Sequence, residues 1–187
     1  MKKLFVLFLI ILTTQAVALE VAGVKLDDYA NVADARLQLN GAGVHTMLIF
    51  RVYVAGLYLG RKTKNAEVVL EDAGPKRVTL VMKRDQSSQN LVDTINRGLA
   101  ANNSSVKLQA LDTSIRDLAT IFEVVKELEE GDVISIDYIP AFGTRVSING
   151  VEQGRVDGGL EFYNALLRVW LGDNPVDSGL KKELLGG

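Results

Sequence analysis

At 187 residues, with a formal net charge of −2 and 48% hydrophobic residues, the chain has the bulk for one ordinary domain with a real core. It contains no cysteine and one histidine, which excludes disulfides and argues against zinc sites and Cys–His nucleophile pairs. The mild acidity, with no basic stripe and no zinc-finger spacing, argues against a nucleic-acid partner.

The first stretch, MKKLFVLFLIILTTQAVA, has Lys2 and Lys3, an apolar run from Leu4 to Leu12, and Ala16-Val17-Ala18. These are the three regions of a secretory signal peptide. The pattern predicts a signal peptide over 1–18, cut after Ala18, and a single domain over 19–187. The alternatives are a membrane-tethering helix or a buried N-terminal strand. The run is about half the length of a membrane span. A soluble product without stable membrane insertion is therefore expected, and the short basic start points to a bacterial periplasm.

Leu19 to Leu26 reads as an opening strand, and Ala35 to Leu39 as a second. Gly41 and Gly43 then interrupt it, as at a bulge or a close backbone approach. Met47 to Leu59 is rich in Val, Ile, Phe and Tyr and reads as a covered strand. Strict alternation puts Phe50, Val52, Val54, Gly56 and Tyr58 on one face. Arg51, Tyr53, Ala55, Leu57 and Leu59 fall on the other. Asn65 to Asp72 predicts a short helix, and Arg77 to Met82 a strand. Ser87 to Ala101 changes period, with Leu91, Val92, Ile95 and Leu99 on one helical face and Asp85 or Ser87 as its cap.

Thr113 to Leu128 repeats the helical pattern, and Val133 to Ile139 is a strand. Asn149-Gly150 between Arg145–Ile148 and Val151–Arg155 predicts a type I′ hairpin. A helix over Gly159 to Leu171 carries Leu160, Tyr163, Leu167 and Trp170 on one side. Val176 to Leu185 predicts a last short helix. Strands, helices, strands, helices in that order give α+β, a mostly antiparallel sheet with helices packed on one face.

Two stretches carry a resemblance. GAGV followed by FRVYVAGLYLG, and the ending GGLEFYNALLRVWLGDNPVDSGLKKELLG, resemble the chalcone isomerase-like family, and most its bacterial exported branch. The resemblance implies an open-faced sheet–helix sandwich with a cleft between the layers. Family members either cyclise chalcones, bind fatty acids, or act as non-catalytic partners. Where the cyclising enzymes carry an arginine, this chain has His45. Where they carry a carbonyl-polarising threonine, the match gives Tyr53. Asn90 and Asn96 lie in the region of the enzymes' mid-chain asparagine, with no motif fixing either.

His45 is a poor substitute for a fixed guanidinium, because a histidine is mostly neutral at pH 7. It remains a candidate base, with Tyr53 as the second catalytic candidate. Arg51, between two apolar neighbours, is the candidate anchor for a carboxylate; buried, it would need a partner. Tyr53, Tyr58, Tyr138 and Tyr163 are candidate ligand-binding hydroxyls. Trp170 reads as core. Asp132 and Asp137 share no calcium-type loop, and Glu127, Glu129 and Glu130 read as a solvated helix end. No phosphate loop or nucleophile elbow occurs, so neither cofactor nor metal is expected. The expected function is the binding of a small apolar acid or lipid in the sheet–helix cleft, without catalysis. The alternatives are an isomerase or lyase on another substrate, and a structural or accessory protein whose cleft is filled. The protein partner is open.

Overall fold

The structure, a computed structural model, describes residues 19–187. The signal peptide expected over 1–18 lies outside the described residues. In chain order the elements are β1 (Leu19–Val21), β2 (Val24–Leu26), β3 (Tyr29–Val32), β4 (Ala35–Met47), β5 (Phe50–Leu59), α1 (Ala66–Glu71), β6 (Lys76–Met82) and β7 (Gln86–Ser87). Then follow α2 (Ser88–Asn102), α3 (Ser105–Ala110), α4 (Asp112–Val125), β8 (Glu127–Leu128), β9 (Val133–Ile139), β10 (Gly143–Ile148), β11 (Val151–Val156), α5 (Gly159–Leu171) and α6 (Ser178–Leu184).

Seven strands form one antiparallel sheet in the order β11-β10-β9-β6-β5-β4-β3. The α+β architecture expected from the element order is the one observed. One face of the sheet carries Tyr53, Ala55, Leu57 and Leu59 into a core shared with Leu91, Ile95 and Leu99 of α2, Phe122 of α4, and Leu166 and Trp170 of α5. The other face carries Val54 and Tyr58 into a smaller core with Leu26, Val32, Leu37 and Leu39. Burial on both faces explains why β5 is apolar from Val52 to Leu59 apart from its tyrosine hydroxyls.

Several boundaries differ from the sequence reading. The opening strand is a hairpin, β1 paired with β2, because Ala22 and Gly23 both turn through positive φ. The strand expected from Met47 to Leu59 begins at Phe50. Met47 closes β4, and the chain reverses at Leu48 and Ile49. The α4 helix stops at Val125, and Glu127–Leu128 instead pairs with Gln86–Ser87. Ser87 caps α2, its hydroxyl accepting from the Asn90 N–H at 3.4 Å.

The register of β4 on β5 matters most for function. His45 pairs with Tyr53, but the next residue, Thr46, pairs with Arg51. Val52 is the extra residue of a β-bulge, and it joins the helix-side core beside Tyr53. The alternation therefore breaks there, and Arg51 does not share the face of Tyr53.

Beyond β3, one edge of β4 has no strand beside it, and α6 covers it instead. Glu183 accepts from the Val44 N–H at 3.2 Å, Asp177 accepts from the Thr46 N–H at 3.3 Å, and the Asn40 amide donates to Leu184 O at 2.7 Å. The approach is possible because Gly41 has no side chain. A Cβ there would stand 2.1 Å from Glu183 O and 2.7 Å from Leu184 O. The close approach expected at Gly41 and Gly43 is this contact, with a bulge between Leu39 and Gly41.

Candidate functional site: a cleft between the β4–β5 pair and α2

The helix-side ends of β4 and β5 and the exposed side of α2 enclose a cavity of about 270 Å³. His45, Val52 and Tyr53 form its sheet wall, and Leu91 and Thr94 its helix wall. A second hollow of about 420 Å³ shares His45, Met47, Thr94 and Arg97 with it, and runs on along α2 to Ala101, Pro175 and Val176. Together they make one groove of mixed lining, with Arg84, Asp85 and Gln86 at the α2 start and Ala101, Asn174, Pro175 and Val176 at the far end.

His45 is buried, and its ring lies 4.9 Å from the Tyr53 ring. Its Nδ1 stands 3.5 Å from Asp177 Oδ2, too long for a full hydrogen bond. Burial pulls the His45 pKa below its ordinary value and the Asp177 carboxylate only partly offsets this. The imidazole is therefore neutral at pH 7. Asp177 is the N-cap of α6, accepting from the N–H groups of Gly179 and Leu180. Burial raises its pKa, but the hydrogen bonds from Leu180, Thr46 and Gly179 lower it by more, and the carboxyl stays ionised. Tyr53 is wholly buried and accepts a 3.0 Å hydrogen bond from Trp170 Nε1. Burial pushes its phenol far above the ordinary range, so it remains a neutral hydroxyl.

The donors of the cavity come from the loop after β6, from β7 and from the polar side of α2. Arg84, Gln86 and Arg97 all line it. Gln86 Nε2 is buried without a hydrogen-bond partner. The ion pairs among the described residues include neither arginine. The two acids of the same wall are engaged: Asp85 accepts from the Glu130 N–H, and Asp93 from the Gln89 side chain. An anionic oxygen entering the cavity would meet two guanidinium groups and a free amide donor.

The residues singled out in the sequence divide. His45, Tyr53 and Asn90 line the cavity. Asn96 instead lines a hollow on the other side of α2, with Leu108 and Ile115. Arg51 is exposed and outside the lining, so a buried, paired anchor at that position is not what the bulge at Val52 leaves. Tyr58 faces the smaller core, and burial pushes its phenol up to about 12. Tyr163 of α5 packs on Tyr138 of β9, ring centroids 5.5 Å apart, with the Tyr163 hydroxyl donating to Ile136 O. Neither reaches the cleft. Asp137 is fully buried and takes Arg77 and Arg145 as partners. No group of three or more potential metal ligands occurs among the described residues, and no described helix is long and apolar enough to cross a membrane.

A family model described as chalcone isomerase-like matches residues 18–186. The chain belongs to the chalcone isomerase-like family. Among solved structures of this fold, the crystal structure of an Arabidopsis thaliana fatty-acid binding protein is similar to it. The two superpose with a TM-score of 0.67 at 15% sequence identity, over 87% of this chain and 92% of that one. A search of curated proteins found no match. His45 and Tyr53 thus line a cavity between the sheet and α2 of this fold, and the arginines come from elements that the two matching motifs do not include.

Proposed function

We propose that the protein binds a small apolar acid or lipid in this cleft without chemically changing it. The observation that carries the reading is that Arg84, Arg97 and the unpartnered Gln86 amide line one cavity together with the apolar Val52 and Leu91. The carboxylate sits among the donors, and the apolar part follows the groove past Met47 toward Val176. Membership of the family and the likeness to a fatty-acid binding protein support it. The test is calorimetric titration with saturated fatty acids of graded length and the matching alcohols. Acids bind and alcohols do not, and Arg84→Ala with Arg97→Ala weakens the acid about tenfold or more. Arg116→Ala, an exposed arginine on α4, leaves binding unchanged. Equal affinity for acid and alcohol, or indifference to both cleft arginines, overturns the reading.

The His45–Asp177 contact favours a second reading, an isomerase or lyase in which a neutral imidazole oriented by a carboxylate takes a proton. In that case His45→Asn abolishes turnover of the bound compound while leaving its affinity intact. Recovery of the compound unaltered after long incubation with the wild-type protein rejects it. Export to the periplasm belongs to the same proposal, supported by the pattern of residues 1–18. N-terminal sequencing of the protein from a periplasmic extract should begin at Leu19; a start at Met1 refutes cleavage.

A further inference from the structure

The reversal between β4 and β5 puts four consecutive large apolar side chains into solvent. Met47 is 54% exposed, Leu48 90%, Ile49 85% and Phe50 49%. The other exposed large apolar residues among those described are dispersed: Leu19, Tyr29, Val68, Val106, Val124, Phe142 and Val151 each stand on a different element or loop. A run of this kind at a hairpin tip is not ordinary surface. Leu48 moreover takes φ +57°, a conformation that at the β10–β11 turn is filled by Asn149. Turn chemistry alone would place Asn, Asp or Gly there.

Arginines flank the tip, while the nearby acids, Asp85 and Asp93 of the cavity wall and Asp177 beside Thr46, already accept hydrogen bonds. Arg51 follows the tip directly on β5 and is exposed. The Arg84 guanidinium lies 5.0 Å from the Phe50 ring centroid. Arg97 stands farther along the groove, and Met47 and Leu48 themselves line the groove's outer part. Apolar residues at the point with arginines set behind them are complementary to one kind of surface, acyl chains beneath anionic headgroups.

We propose that the β4–β5 tip, Met47 to Phe50, inserts into the interfacial layer of a phospholipid membrane, with Arg51 and Arg84 on the lipid phosphates. The groove mouth then opens at the membrane surface. The inference rests on the tip's own exposure and charge, and holds whether or not the cleft takes an acid.

The native chain has no cysteine, so Ile49→Cys accepts a single environment-sensitive fluorophore. The protein is expressed from the full chain and purified as the cell processes it. It is then mixed with vesicles of phosphatidylcholine alone, or of phosphatidylcholine with phosphatidylglycerol. The expected result is a blue shift of the label on the anionic vesicles, weakened by salt, and none from the same label at Val124→Cys. In flotation, Leu48→Asp with Ile49→Asp lowers vesicle binding about tenfold or more, and Val124→Asp does not. A label at Ile49→Cys that stays water-like overturns the proposal. So does a double variant that floats like the wild type. Self-association that the double variant abolishes, without vesicle binding, also overturns it in favour of a second copy as the occupant. The label readout needs no charged substitution, so a folding defect in the aspartate variant leaves the test intact.

Discussion

Lys76 carries an amine into a place where nothing receives it. Its side chain is fully buried on β6, and Nζ has no hydrogen-bond partner. The rings of Tyr138 and Tyr163 lie 5.5 and 6.0 Å away and offer only their faces. Burial lowers its pKa to about 8, with Asp72 offsetting part of the effect. The unfolded chain therefore holds this proton more tightly than the folded one. Stability is lowest below pH 8 and rises as the pH climbs from about 8 toward the ordinary lysine value. The full swing is on the order of 3 kcal/mol. Thermal unfolding from pH 7 to 9.5 should show Tm rising in the wild type and flat in Lys76→Met, with the variant the more stable at pH 7. A parallel rise in both proteins would assign the effect to other groups. Above pH 10 the comparison loses meaning, because the raised phenols of Tyr53, Tyr58 and Tyr163 begin to destabilise the fold.

Among elements, α6 decides whether β4 has an exposed edge. Its contact depends on the missing side chain at Gly41, where the obstacle to a methyl is backbone that has no rotamer to yield. Gly41→Ala should cost at least about 2 kcal/mol. It should also raise amide exchange at Val44 and Thr46, whose N–H groups α6 now receives. Retained protection at both amides would show that α6 holds by other contacts.

Element by element, legibility followed how local the cause is. Asn149-Gly150 encodes its turn in two residues, and that hairpin is where the sequence placed it. The apolar run FRVYVAGLYLG marks a doubly covered strand. The reversal at Leu48-Ile49 was not legible, because an apolar tip carries no turn signal. The bulge at Val52 was not legible either, since a reading by alternation assumes unbroken pairing. It moved Arg51 out of the cleft. Arg84 and Arg97 sit on a loop and on the polar side of an amphipathic helix, where a sequence shows only ordinary solvated charge. Their common cavity exists only once α2 lies against β4 and β5.

For the molecule as a whole, the two cores are divided by one sheet and share β5 as their common wall. Neither the β1–β2 hairpin nor the helical layer has a second sheet to rest on. The described chain should therefore unfold as one cooperative unit, with calorimetric and van't Hoff enthalpies equal and secondary and tertiary signals lost together. A calorimetric enthalpy clearly larger than the van't Hoff value would show that the helices or the hairpin melt separately.

The hydrogen bond between Trp170 and Tyr53 also makes the molecule an optical instrument. Trp170 is the chain's single tryptophan, and its indole is tied to a ring that forms part of the cleft wall. Any occupant that presses on Tyr53 changes the field at the one strongly emitting side chain. Loading and emptying of the cleft can then be followed by native emission colour in a stopped-flow cell, with no dye and no engineered residue.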